Sequence, residues 1–519
     1  MTRGTSSAVE PYFRLAHMKR LNFLTVTGAA GATSLAGAAA WILHSPRASA
    51  AAPTSPASTP AAAIGGRPDF TVRIVPGSIE IAPGHTVRTT TYGGVVPGPT
   101  LRMREGVPVT IDAYNETDAI DVIHWHGQIV PPSVDGVIEL GTPAVPARGH
   151  RRYRFVPKPR GTRWYHTHMA PGGHPDRGGF NGEFGFVIVE PSNDPARYDR
   201  EVLLALHEWE ARLVNGQGHD QSTSPSLAQP AMGMGGGMMG GGGMMGGGGM
   251  MGMTMQEADY GVFSVNGRAL GHGDPIRVRA GERVLFRILN ASATLTHRLA
   301  LPGHRFTVVA LDGNPVPTPR TVDAIELGVA ERVDAIVEMN MPGVWILGST
   351  DPTWRARGLG TVIEYAGQRG RPAWRDPAAL SPWHYASFGE GSSIPEADGR
   401  FELVLRQAMG TQNLWTINGR SYPNTTPLTV ERGKRYRIAF SNMSMMEHPM
   451  HLHGHVFELA SVDGVRTSGV RKDTIVVRPM MGQAEIDLVA ENPGTFLLHC
   501  HNELHMDGGL MTTLAYRNA

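Results

Sequence analysis

Apolar and polar residues alternate with period two at three widely separated places in the chain. The runs are Val107, Val109, Ile111; Val284, Phe286, Ile288; and Tyr436, Ile438, Phe440. Such alternation predicts half-buried β-strands. Each run follows a similar lead-in: Pro99-Thr-Leu-Arg-Met-Arg-Glu-Gly106, Pro275-Ile-Arg-Val-Arg-Ala-Gly281 and Pro427-Leu-Thr-Val-Glu-Arg-Gly433. The glycine marks a turn, and nine residues after it stands an asparagine: Asn115, Asn290 and Asn442. The glycines lie 175 and 152 residues apart, too far for a solenoid and suitable for tandem β-sandwiches. The pattern therefore predicts an all-β chain of three tandem β-sandwich domains.

Composition sets the boundaries. Domain one runs over 69–191, domain two over 198–367 and domain three over 401–519. An Ala/Pro/Ser linker occupies 51–68, and an Arg/Pro/Trp-rich linker occupies 368–400. Residues 1–50 read as an export signal: Lys19-Arg20 supplies positive charge, Leu24 to Leu43 is mildly apolar, and Ala48-Ser49-Ala50 offers a cleavage site. That apolar run is also long enough to serve as an uncleaved anchor. Its low apolarity suits twin-arginine export, but Lys19 stands where that motif has its first arginine. No later run reaches membrane length, so the expectation is a mature protein without a membrane span, periplasmic or secreted.

Charge and cysteine content narrow the chemistry. Lys+Arg total 47 against 46 Asp+Glu, which excludes a strongly basic nucleic-acid-binding face. Gly 65 and Pro 39 suit a turn-rich β architecture. Cys500 is the only cysteine, so no intrachain disulfide and no multi-cysteine metal cage can form.

The 22 histidines are unevenly placed. Five H-x-H pairs occur: His124/His126, His166/His168, His451/His453, His453/His455 and His499/His501. On a strand, residues i and i+2 share a face, so each pair can present two imidazoles to one point. Isolated His17, His150, His219 and His304 read instead as ordinary surface or core histidines. Cys500 lies between His499 and His501, with His505 five residues on and His448 in another cluster. A thiolate with two imidazoles is the donor set of a blue copper centre. Alternation then turns Cys500 to one face and its two neighbours to the other, so two kinds of metal site would share one segment.

His124-Trp-His-Gly, Tyr165-His-Thr-His, His448-Pro-Met-His-Leu-His-Gly-His and His499-Cys-His with His505 resemble, in order, the four copper motifs of the multicopper oxidases. The likeness covers about residues 70–517. It implies three cupredoxin-like Greek-key domains and four copper ions: one type 1, one type 2 and two type 3. His448, Cys500 and His505 would hold type 1 copper, and His124 and His451 type 2. His126, His166, His168, His453, His499 and His501 would hold the type 3 pair. Domain two has no H-x-H after Asn290, so the cluster is expected between domains one and three. Asp135, eleven residues after His124, matches an acidic residue that assists proton delivery; otherwise Val134-Asp135-Gly136 is a plain turn.

Two positions depart from the family pattern. Leu510 stands where relatives with an axial methionine carry it, and a one-residue shift would bring in Met511 instead. A three-coordinate type 1 copper without thioether has the higher potential. Leu504 stands where cuprous-oxidising relatives are often acidic, leaving Glu503, one residue earlier, as the catalytic candidate there.

Met232, Met234, Met238, Met239, Met244, Met245, Met250, Met251, Met253 and Met255 lie in near-pure glycine within the insert 215–256. Glycine supplies no side chains for a core, whereas paired thioethers are soft ligands for Cu(I). The segment resembles methionine-rich inserts of bacterial copper-tolerance oxidases; a low-complexity spacer is the plainer alternative. Met443, Met445 and Met446, just before His448, fit the same Cu(I) relay or else pack at a strand end. The expected partners are O2 as acceptor and Cu(I), a phenol or an aromatic amine as donor. A non-enzymatic copper buffer is the competing reading.

Overall fold

The computed structural model describes residues 66–191, 197–215, 256–377, 380, 382–391, 394–411 and 413–517. The expected export signal and the methionines Met232–Met255 lie outside the described residues. Every strand below belongs to the unit Pro68–Ala519.

Among the described residues three pairs of sheets follow one another along this unit, besides a two-stranded sheet of Arg212–Asn215 and Gln256–Asp259. In the first, strands His85–Tyr92, Phe70–Ala82, Val109–Asn115 and His150–Phe155 form one sheet. Gly98–Arg104, Phe184–Glu190, Gly161–Thr167 and Ile123–His124 form the other. Val72, Ile111 and Tyr153 of one sheet and Leu101, Tyr165 and Val187 of the other fall in a single buried cluster, which makes the pair a sandwich. The second pair has six and five strands between Arg200 and Tyr365, and the third has seven and five between Gly399 and Tyr516. The all-β expectation is met, with three cupredoxin-like units. Among the described residues no helix is long and apolar enough to cross a membrane.

The recurrent glycine and asparagine have physical reasons. Gly106, Gly281 and Gly433 adopt φ of 78°, 82° and 80°, a left-handed turn that side chains disfavour. The strands that follow, Val109–Asn115, Arg283–Asn290 and Arg435–Asn442, each end on the asparagine. Its buried side chain pins the next loop: Nδ2 donates to Ala119, Leu295 and Met446 carbonyls at 2.8, 2.8 and 2.7 Å. Oδ1 accepts from the N–H of Thr117, Ser292 and Ser444 at 2.9, 3.0 and 2.9 Å. Each of these strands also pairs in parallel with the strand that opens its unit.

The alternation is not uniform. Val107 lies outside its strand and is 50% exposed. In the middle unit Leu285 and Leu289 are buried along with Val284, Phe286 and Ile288, because that strand is covered on both faces. The stretch expected as a linker, 368–400, contains a short 3-10 helix, Tyr385–Phe388, whose Tyr385 and Phe388 are buried together with Trp383. Tyr385 donates its hydroxyl proton to Glu331 at 2.8 Å, so this connection is packed against the middle unit.

Candidate metal centre

Strand register assembles the site. His448–Leu452 and Thr495–Cys500 pair antiparallel, with Met450 opposite Cys500 and His451 opposite His499. Opposed residues share a face. Cys500 therefore faces the His448 side, while His499 joins His451 on the other. In the first unit His124 lies opposite His166. After Cys500 the chain turns into the helix Glu503–Asp507, capped by Asn502 Oδ1, which accepts from the N–H of Leu504 and His505 at 3.1 and 3.4 Å. That turn returns His505 to Cys500.

Among the described residues four all-His/Cys donor groups result, each with ligand atoms within 4.8 Å of one another. They are His448/Cys500/His505, His124/His126/His451, His126/His166/His501 and His168/His453/His499. In the first, Cys500 Sγ lies 3.7 Å from His448 Nδ1 and 3.5 Å from His505 Nδ1, and these nitrogens are 3.1 Å apart. His124 Nε2 lies 3.3 Å from His451 Nε2, and His453 Nε2 lies 3.0 Å from His499 Nε2. Donors that share one ion at about 2.0 Å (nitrogen) and 2.3 Å (sulfur) stand at such separations.

The chemistry of these donors fits a metal. His126 Nδ1 and the Nε2 atoms of His166, His168 and His501 are buried without a hydrogen-bond partner, an arrangement costly to leave unfilled. Outer ring nitrogens of several donor histidines are tied down, which sets ring orientation. His124 Nδ1 donates to the Asp135 carbonyl at 2.5 Å, His166 Nδ1 to Thr167 at 2.8 Å and His499 Nδ1 to Cys500 at 3.0 Å. Burial pushes His166 and His448 down to about 3 and His499 to about 4, so their lone pairs are free at neutral pH. The same burial pushes the Cys500 thiol up, so a bound cation is needed to draw off its proton.

Leu510 and Met511 are distinguished by register. His499 lies opposite Met511 on the strand Met511–Tyr516. One step on, Cys500 N–H donates to the Leu510 carbonyl at 3.0 Å, and Leu510 is fully buried in the core that contains Cys500. Leucine thus takes the Cys500 side, and Met511 the His499 side.

Asp135 is more than a turn residue. Its Oδ2 accepts from His453 Nδ1 at 2.7 Å, its Oδ1 is buried without a partner, and burial holds its carboxyl well above the usual range. Gly136 follows at φ 103°, where a Cβ would come within 2.4 Å of His124 Cα; only glycine permits this approach. Glu503 joins none of the donor groups. It is buried, its carboxyl pushed up to about 8, and it lies against Gly179, whose Cβ would meet Oε1 at 2.5 Å. His455 of the His453/His455 pair is a satisfied core histidine, bonded to the His453 carbonyl at 2.9 Å and Tyr516 hydroxyl at 2.7 Å.

Met443 and Met445 are exposed and Met446 is half-buried. Between them Ser444 Oγ lies 2.8 Å from His448 Nε2. Met480 and Met481, not among the candidates above, stand beside them: Met480 N–H donates to the Ser444 carbonyl and Met481 N–H to the Asn442 carbonyl, at 2.9 and 2.8 Å. Both side chains are about 70% exposed, unusual for thioethers. The Met480-Met481 dipeptide was the available signal. Asp473 was also missed; it contacts His126 and His451 yet belongs to no H-x-H pair.

Three multicopper oxidase family profiles match residues 74–194, 211–358 and 400–519. A Mycobacterium tuberculosis protein described as multicopper oxidase MmcO is 33% identical over 454 residues, covering 85% of each chain. A copper resistance protein A homolog of Pseudomonas syringae pv. tomato is 26% identical, covering 82% of this chain and 89% of its own. The solved multicopper oxidase of Pseudomonas thermotolerans superposes with a TM-score of 0.63 at 25% identity, covering 86% of this chain and 98% of the other. The chain belongs to the multicopper oxidase family. It is accordingly an oxidoreductase with copper as its cofactor, four ions of types 1, 2 and 3.

Proposed function

We propose that this enzyme oxidises a one-electron donor at the Cys500 centre and reduces O2 to water at the imidazole cluster. His448, Cys500 and His505 would hold the type 1 ion, and His124 and His451 the type 2 ion. His126, His166 and His501 would hold one type 3 ion, and His168, His453 and His499 the other. Bound copper supplies single-electron oxidation at the first centre and four-electron reduction of O2 to two waters at the second. The observation that carries the reading is the placement of Cys500 in one donor group and of both its neighbours in two others. A few covalent bonds then join the centres.

The remaining work falls to the protein. Burial of Cys500 and the imidazoles keeps bulk water from the donors. Asp135 Oδ1, free beside His124 and His453, is placed to hold a proton for the oxygen side. Glu503 is a second buried acid, at the start of the helix that returns His505.

Cu(I) is the preferred donor, with phenols and aromatic amines as further donors, in a copper-tolerance role outside the cytoplasm. The exposed thioethers Met443 and Met445 support it, since soft sulfur selects Cu(I). So do the methionines of the insert and the copper-resistance relatives. Localisation rests on the N-terminal charge, apolar run and Ala48-Ser49-Ala50.

Oxygen uptake by copper-loaded protein with Cu(I) and with a phenol tests this. Catalytic uptake with both is expected, and copper binding without uptake would leave only the buffer. Deleting residues 232–255 should impair Cu(I) oxidation more than phenol oxidation; equal effects contradict the relay.

A further inference from the structure

Among the described residues the middle unit contributes none of the donor histidines, yet one of its side chains reaches them. Arg332 begins the strand Arg332–Glu338 and has no exposed surface. Its Nη1 donates to Asp473 Oδ1 at 2.7 Å and its Nη2 to Oδ2 at 2.5 Å, a bidentate clasp. Nε donates to the Thr162 carbonyl of the first unit at 3.3 Å, and Nη1 to the Ala330 carbonyl at 2.9 Å. One guanidinium thus ties all three units together.

Asp473 gives opposite instructions to two imidazoles. Its Oδ1 accepts from His126 Nε2 at 3.1 Å, while its main-chain carbonyl accepts from His451 Nδ1 at 2.8 Å. His126 therefore keeps its proton on Nε2 and leaves Nδ1 bare; His451 does the reverse. This sets His126 apart, because His124, His166, His453 and His499 all donate from Nδ1. Thr474 Oγ1 also lies 3.3 Å from His126 Nε2, but it donates to Asp473 Oδ1 at 3.1 Å and so is set by the same carboxylate.

We infer that Arg332 is a positioning residue for the copper cluster: by clasping Asp473 it selects the His126 tautomer that turns Nδ1 toward His166 and His501. The inference rests on the copper-oxidase reading. It gives the middle unit a part in a site to which its described residues lend no ligand. Without Arg332, the Asp473 carboxylate would keep Arg163 at 3.4 Å and Thr474 and His126 at 3.1 Å each, but would lose the fork that fixes its plane.

The test is copper affinity by chelator competition, with EPR, on Arg332→Met, Arg332→Lys and Asp473→Asn. Loss of an outer partner typically costs about 10–100-fold in metal affinity, and that loss is expected at the imidazole cluster in all three variants. The blue absorption from Cys500 should persist. Lysine should not rescue, since it has charge but no fork. Wild-type cluster affinity and EPR in Arg332→Met or Arg332→Lys would overturn the inference. Should Arg332→Met fail to fold, the near-isosteric Asp473→Asn decides by the same reading. Wild-type protein that binds copper but consumes no oxygen would sink the oxidase reading instead, and the affinity comparison would still stand.

Discussion

His453 donates from Nδ1 to Oδ2 of Asp135 at 2.7 Å, a bond between the third unit and the first. Through its carbonyl Asp135 also orients His124, so one residue serves two donor groups while its Oδ1 stays unpartnered. Asp135→Asn keeps the shape but cannot pass a proton. Turnover should fall by about 10²–10⁴-fold, the usual worth of a general acid, with copper content near wild type. Steady-state oxygen uptake beside a copper count checks this; unchanged turnover would reduce Asp135 to orientation alone.

Leu510 lies on the Cys500 side of its strand, fully buried. Leu510→Met should bring a thioether toward the type 1 ion and lower its potential. Redox titration of the blue absorption should show the decrease, with slower oxidation of phenols of high potential. An unchanged potential would mean that residue 510 does not govern the axial position.

Metal-free stability should depend on pH in one direction on the acid side. Burial holds His166 and His448 at about 3 and His499 and His455 at about 4. Below their ordinary value of about 6.5, the unfolded chain binds protons that the folded chain refuses. Stability contributed by these groups is thus present above about pH 6.5 and lost as pH falls toward 4 and 3. Denaturant midpoints of copper-free protein should drop steadily over that window; a flat profile would contradict the burial.

Much of the site was legible because it is local. H-x-H spacing on a strand places imidazoles on one face, and Cys500 between two histidines needs only alternation to divide the faces. The asparagine nine residues past each turn glycine marked the strand ends, now explained by its loop-pinning bonds. What stayed hidden depends on distance in sequence. Arg332 and Asp473 are 141 residues apart, and no periodicity relates them. Met480 and Met481 reach the Met443–Met446 segment only through the fold. Glu503 could be found by composition and position, but its placement against Gly179, outside the donor groups, could not. The 368–400 segment has a linker's composition, but Trp383, Tyr385 and Phe388 bury themselves in it.

The most direct measurement is the visible absorption and copper content of the purified, copper-loaded protein alongside Cys500→Ser. An intense blue protein with four coppers is expected, and a colourless variant that lacks one copper and no longer consumes oxygen. A colourless wild type, or a serine variant that still turns over, would contradict it.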